Sequence, residues 1–148
     1  MSATYQVRMF EAECRHCRRG FPIPLLNDFT YGEFILHGER GGVFGYLSAF
    51  TCPLFKDIHS RLLTIAGCQE FTSAESARFQ EILACCADEL DGQPLGLPSV
   101  CPFCRSQNLN YHDRRPLNDD LIRVVTFIGF ESLSDKAKME KLSDLWQQ

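Results

Sequence analysis

Two pairs of cysteines, Cys14-Arg15-His16-Cys17 and Cys101-Pro102-Phe103-Cys104, carry the clearest chemistry in the sequence. Two residues between the thiols let a tight turn offer both sulfurs to one ion. Two such pairs complete the all-thiolate tetrahedron that zinc takes in structural sites, with no open position for a substrate. Each pair is compact but the pairs are far apart, so a shared ion requires distant parts of the chain to meet. Arg15, Arg18, Arg19 and Arg105 flank the sulfurs, where guanidinium groups offset the negative charge of four thiolates around a divalent ion. The residues leave other readings open: iron in place of zinc, a redox pair or two disulfides, and His16 or His112 in place of one sulfur. The stretch from Met1 to Tyr5 lacks a basic region followed by an apolar one, so the expected compartment is the cytoplasm, where thiols stay reduced.

The two CxxC units resemble the knuckles of zinc-ribbon, or rubredoxin-like, proteins, which present each pair at the tip of a β-hairpin. The resemblance covers residues 5–26 and 99–115, with Cys14 and Cys17 in the first knuckle and Cys101 and Cys104 in the second. It implies one structural zinc ion held by these four residues. It departs from the commonest pattern between the knuckles, where residues 18–100 have the size of a small domain rather than of a short loop. The family's functions therefore do not carry over with the knuckles.

A chain of 148 residues is enough for one domain with a hydrophobic core, and such a domain buries roughly 70% of the surface its unfolded chain exposes. Charged residues make up 23% and apolar ones 45%, which excludes a largely disordered chain. No apolar run approaches the roughly 20 residues of a membrane-spanning helix, so no membrane partner is expected. The expected organisation is a single α+β domain over 1–148. Its parts are a zinc ribbon from 5–26 and 99–115, an inserted β-hairpin and two-helix segment over 27–98, and a C-terminal strand and helix over 117–148.

The elements that must position the cysteines follow from pattern. Residues 5–13 read as a strand with imperfect alternation, and Gly20 to Pro24 as its return, restricted by two prolines. Residues 33–37 and 43–47 flank Gly38-Glu39-Arg40-Gly41-Gly42 as a second hairpin. The glycines lack the Gly-Lys-Ser/Thr ending of a phosphate loop, so they read as a turn. A helix opens at Pro53, buries Leu54, Ile58, Leu62 and Ile65, leaves His59 off that stripe and in solvent, and stops at Gly67. Thr72-Ser73-Ala74-Glu75 is a capping box opening a second helix, which is expected to run to Asp91-Gly92 with Glu81, Asp88 and Glu89 on its outer face. Residues 93–100 read as a linker, 108–112 as a strand, Leu121 to Phe130 as a buried strand with a short helix as the competitor, and Ser134 onward as a helix docked through Trp146. Cys52, Cys68, Cys85 and Cys86 have no ligand spacing and read as packing thiols.

Two readings of function remain at this stage. No HExxH, GxSxG or Walker sequence is present, and a zinc closed by four cysteines cannot activate water, so an enzyme is the least supported class. The preferred expectation is a protein-interaction module, an adaptor or an inhibitor or immunity-type protein, with contacts from the acidic residues of 75–91 and from Asp119-Asp120. The alternative is a nucleic-acid-binding ribbon using Arg15, Arg18, Arg19, Arg105, Arg114 and Arg115 on phosphates, with Tyr111 as a stacking residue. The knuckle segments 1–24 and 99–116 carry a surplus of four positive charges against eight negative ones on the remainder. That asymmetry serves either reading, although a zinc-thiolate cluster subtracts about two charges from the basic side.

Overall fold

A computed structural model describes residues 3–26 and 32–148, with the backbone alone for 111–114, so the side chains of Tyr111, His112 and Arg114 lie outside the described residues. The first strand, β1 (Thr4–Cys14), buries Val7 and Met9, then changes phase and buries Ala12 and Cys14. A one-residue change of phase turns the opposite face inward. Here it marks the point where the strand passes from one half of a curled sheet to the other. The N-terminal half, Thr4 to Val7, pairs with β7 (Asp120–Val124). The C-terminal half pairs on one edge with β2 (Gly20–Leu25) and on the other with β6 (Leu109–Pro116), with a register shift between Glu11 and Glu13. Imperfect alternation in the sequence thus has a physical cause: one strand serves two sheet segments with different inner faces.

The remaining strands extend the sheet beyond β7. β3 (Glu33–Gly38) and β4 (Phe44–Ser48) form an antiparallel hairpin, β4 lies parallel to β7, and the two-residue β5 (Leu95–Gly96) pairs with the end of β3. The strand order is β2-β1-β7-β4-β3-β5, with β6 beside β1. Pro22 and Pro24 sit in the outer strand β2, where missing N–H groups blunt an edge.

Helices pack on β3, β4 and β5 through a core that includes Leu36, Leu47 and Leu95. α1 (Pro53–Ala66) starts with proline in its first turn, buries Leu54, Ile58 and Leu62, and ends on Gly67 in the left-handed region. α2 (Ser73–Cys86) opens on the capping box, with Thr72 Oγ1 accepting from the Glu75 N–H and Glu75 accepting from the Thr72 N–H. α3 (Ile128–Glu131) is a single turn, and α4 (Asp135–Trp146) is capped by Ser134. Leu142 of α4 is fully buried, and Trp146 stacks on Phe71 with ring centroids 5.6 Å apart, so the last helix docks on the body as its sequence pattern implies. Among the described residues the architecture is mixed α+β with four helices.

Three expectations are corrected. α2 ends at Cys86 rather than Asp91, because Asp88 is drawn away from the helix. Its carboxylate accepts from Thr126 Oγ1 at 2.6 Å and from the Ile128 and Gly129 N–H groups at 2.7 and 2.9 Å, capping α3 instead of lining an acidic face. The segment Leu121 to Phe130 is therefore split into β7 and α3. His59, expected in solvent, packs edge-on against Phe71 and Phe79, each 5.1 Å away.

The hydrogen bonds to Asp88 hold its carboxyl below the ordinary value against the opposing effect of burial. A depressed folded pKa means stability that is present above about pH 4 and lost as the pH falls through the folded value. Asp88→Ala is expected to cost about 2 kcal/mol at pH 7 and less in acid. Denaturant unfolding at the two pH values checks this, and an equal cost at both would contradict it.

Candidate metal centre

Each cysteine pair sits in a turn of the same construction. In the first turn, the Arg18 N–H donates to the Cys14 carbonyl at 2.8 Å and the Cys14 N–H to the Arg19 carbonyl at 3.0 Å. In the second, Arg105 donates to Cys101 at 2.8 Å and Cys101 to Ser106 at 2.9 Å. The residue after each pair adopts the left-handed conformation, Arg18 with φ 66° and Arg105 with φ 65°. Backbone N–H groups point at the leading sulfurs, from Cys17 to Cys14 Sγ at 3.5 Å and from Phe103 to Cys101 Sγ at 3.4 Å. The first turn joins β1 to β2. The second leads into β6, and an Arg15 N–H bond to the Asn108 carbonyl at 2.9 Å ties the two turns together.

This pairing brings all four sulfurs within 4.8 Å of one another. Cys14 Sγ lies 3.5 Å from Cys104 Sγ, and Cys17 Sγ lies 3.6 Å from Cys101 Sγ. Four sulfurs about 2.3 Å from a central ion stand about 3.8 Å apart in a regular tetrahedron, so the donor set fits one four-coordinate metal ion. Cys14 and Cys101 are fully buried, while Cys17 and Cys104 are half-buried. Around them Ala12, Phe21, Ile23 and Leu109 form a small apolar cluster, apart from the larger core beneath the helices.

Electrostatics favour a cation at the centre. The Cys17 N–H, helped by neighbouring donors, draws the Cys14 thiol down to about 6 against the opposing effect of burial. At Cys104 the Ser106 backbone also acts downward, but burial and the crowding thiols of Cys14, Cys101 and Cys17 push it up to about 12. The first proton leaves the cluster easily and the last resists, because thiolates this close repel one another. A divalent ion removes that resistance.

No family model, curated protein or solved structure matches the chain.

His16 is exposed at the first turn and is not part of the four-sulfur group. Three of the arginines are engaged by other groups. Arg18 pairs with Glu13 at 3.7 Å, Arg115 with Glu11 at 2.8 Å, and Arg19 lies over the Phe103 ring, 4.8 Å from its centroid. Arg15 and Arg105 are exposed and make no ion pair among the described residues. Cys52, Cys68, Cys85 and Cys86 are free thiols outside the cluster, and burial raises Cys86 to about 11.

Sequence reasoning missed the part that holds the second turn. The β3–β4 turn packs against it so closely that a Cβ on Gly41 would meet the Val100 carbonyl oxygen at 2.6 Å and Pro102 Cα at 2.9 Å. Gln93 clamps that turn, accepting from the Arg40 N–H at 2.8 Å and donating to the Gly41 carbonyl at 3.2 Å. The glycine cluster was visible as a turn, but nothing in its local pattern names a partner some sixty residues away.

Arginine in the left-handed region costs about 1–2 kcal/mol that glycine avoids, offset in part by the greater freedom of glycine in the unfolded chain. Arg18→Gly and Arg105→Gly are each expected to leave stability unchanged or raise it by up to about 1 kcal/mol. Arg15→Gly, at a position without positive φ, should lower it. Thermal melting of the three variants checks this, and a marked loss at Arg18 or Arg105 would contradict it.

Proposed function

We propose that the chain is a small zinc-binding protein in which the two matched turns form a zinc ribbon around one structural ion, and that it acts as a protein-interaction module. The observation that carries the reading is the closed set of four sulfurs, which leaves a metal no position for substrate. Zinc is preferred over iron for a purely structural role, and a colourless protein would separate the two. In this reading the ribbon pins β1 and β6 together, and the rest of the chain offers the working surface. Glu81 and Glu89 remain exposed on and just beyond α2, and Asp119 and Asp120 are exposed at the start of β7. Exposed carboxylates such as these suit an adaptor or inhibitor that covers a basic surface on its partner.

The nucleic-acid reading is weakened by the engagement of Arg18, Arg19 and Arg115 within the chain. It predicts affinity that falls steeply with salt. No helix among the described residues is long and apolar enough to cross a membrane.

The deciding experiment is native mass spectrometry before and after chelation, with gel retardation of single- and double-stranded nucleic acid at low salt. One zinc per chain, lost with the chelator, together with no retardation is the expected result. Absence of metal would overturn the ribbon, and salt-sensitive retardation would replace the interaction module with the nucleic-acid reading.

A further inference from the structure

The four sulfurs are also placed to react with one another. Cys14 Sγ meets Cys104 Sγ at 3.5 Å and Cys17 Sγ meets Cys101 Sγ at 3.6 Å, both contacts running across the two turns. A disulfide holds its sulfurs about 2.05 Å apart, so each pair has only about 1.5 Å to close. Each pair joins a half-buried thiol, Cys104 or Cys17, to a fully buried one, Cys14 or Cys101. The half-buried member is open to a small oxidant, and the buried member stands beside it to take up the oxidised sulfur. The protein backbone holds the turns together independently of any ion. The Arg15 N–H donates to the Asn108 carbonyl at 2.9 Å, and Glu13 and Cys14 pair with Asn110 and Leu109 in the ladder between β1 and β6.

We infer that the centre is a redox-convertible staple: a peroxide turns its four thiolates into two disulfides, Cys14 with Cys104 and Cys17 with Cys101, and sets the metal free while the chain stays folded. The inference rests on the proposed ribbon, since it takes the sulfurs as thiolates on a divalent ion. In each pair the half-buried thiolate attacks hydrogen peroxide. An S–O bond forms, the O–O bond breaks, and the departing hydroxide takes a proton to become water. The buried thiolate then attacks that sulfur, the S–S bond forms, the S–O bond breaks, and a second hydroxide leaves as water. Each disulfide thus consumes one peroxide and two protons, and two electrons pass from sulfur to oxygen. The pairing decides what happens to the fold. Disulfides across the turns close 90 and 84 positions, the closure the metal makes, and a long closure constrains the unfolded chain most. Disulfides within each turn would release the metal equally well and leave the turns unjoined.

The test is a titration of the full chain, as purified with its metal, with hydrogen peroxide beside a chromogenic chelator, then alkylation of free thiols and mass mapping without reduction. Trypsin cuts after Arg15, between Cys14 and Cys17, and chymotrypsin after Phe103, between Cys101 and Cys104, so each pairing gives its own fragments. Metal release is expected to be complete at two peroxides per chain, with Cys14 linked to Cys104 and Cys17 to Cys101. The oxidised chain should melt about 10 °C above the reduced, chelated one and bind zinc again after a thiol reductant. Absence of metal in the purified chain would overturn the ribbon; the pairing is then read on the reduced chain with the same peroxide, so the two failures are distinct. Linkages within the turns, sulfinic acids in place of disulfides, or an oxidised chain that melts no higher than the reduced, metal-free one would overturn the inference.

Discussion

Chelation of the metal is expected to lower the melting temperature by at least roughly 15 °C, which corresponds to a loss on the order of 5 kcal/mol for a chain of this size. Cys17 and Cys101 are 84 positions apart, and closing a loop of that length costs about 4 kcal/mol by the logarithmic law. Structural zinc binds with an apparent 10–16 kcal/mol, so a zinc ion at the four sulfurs would hold the closure with several kcal/mol left over. Removing it approaches the whole stability of a typical domain. Cys101→Ser should have the same effect, because Cys101 is fully buried and its replacement leaves three sulfurs and a polar hydroxyl in an apolar cluster. Scanning calorimetry with and without chelator, paired with zinc content of the variant, measures both. An unchanged melting temperature after complete metal removal would contradict the structural role.

The second large effect is expected at Gly41. Gly41→Ala combines a left-handed φ of 79° with contacts of 2.6 and 2.9 Å to backbone atoms of Val100 and Pro102, which cannot rotate away. The expected loss is about 3 kcal/mol, part from backbone strain and part from overpacking, together with weaker metal binding because the second cysteine turn is displaced. Gly42 is the control. It has the same φ of 79°, but a Cβ there meets only Pro102 Cβ at 3.7 Å, an ordinary contact. Gly42→Ala should therefore lose only about 1 kcal/mol and retain its metal affinity. Denaturant unfolding and a competitive zinc titration of the two variants separate strain from contact; equal losses would mean that the turn does not buttress the metal centre.

Features whose cause is local were legible from the residues alone. The capping box needs only Thr72 and Glu75, the stop of α1 needs only Gly67, and each cysteine turn needs only its own spacing. Features whose cause is distant were not. Asp88 has the pattern of an outer helical residue, and only the approach of Thr126 to Gly129 turns it into a cap. Leu121 to Phe130 has the composition of one strand, yet the bonds to Asp88 start a helix at Ile128. Gly41 looked like any hairpin glycine until Val100 and Pro102 closed on it. The four ligand candidates could be named, but not the scaffold that brings the pairs together: a single strand passing from one part of the sheet to the other.

The same separation of the pairs governs assembly in time. Synthesis runs from the N-terminus at about 5–20 residues per second, so the first pair waits roughly 4–17 s for the second to be translated across those 84 positions. Throughout that interval two thiols stand without their partners, while the hairpin, α1 and α2 are made between them. The centre is thus a late event on the ribosome, and a half-made chain is most open to oxidation or to a wrong metal before Cys101 emerges.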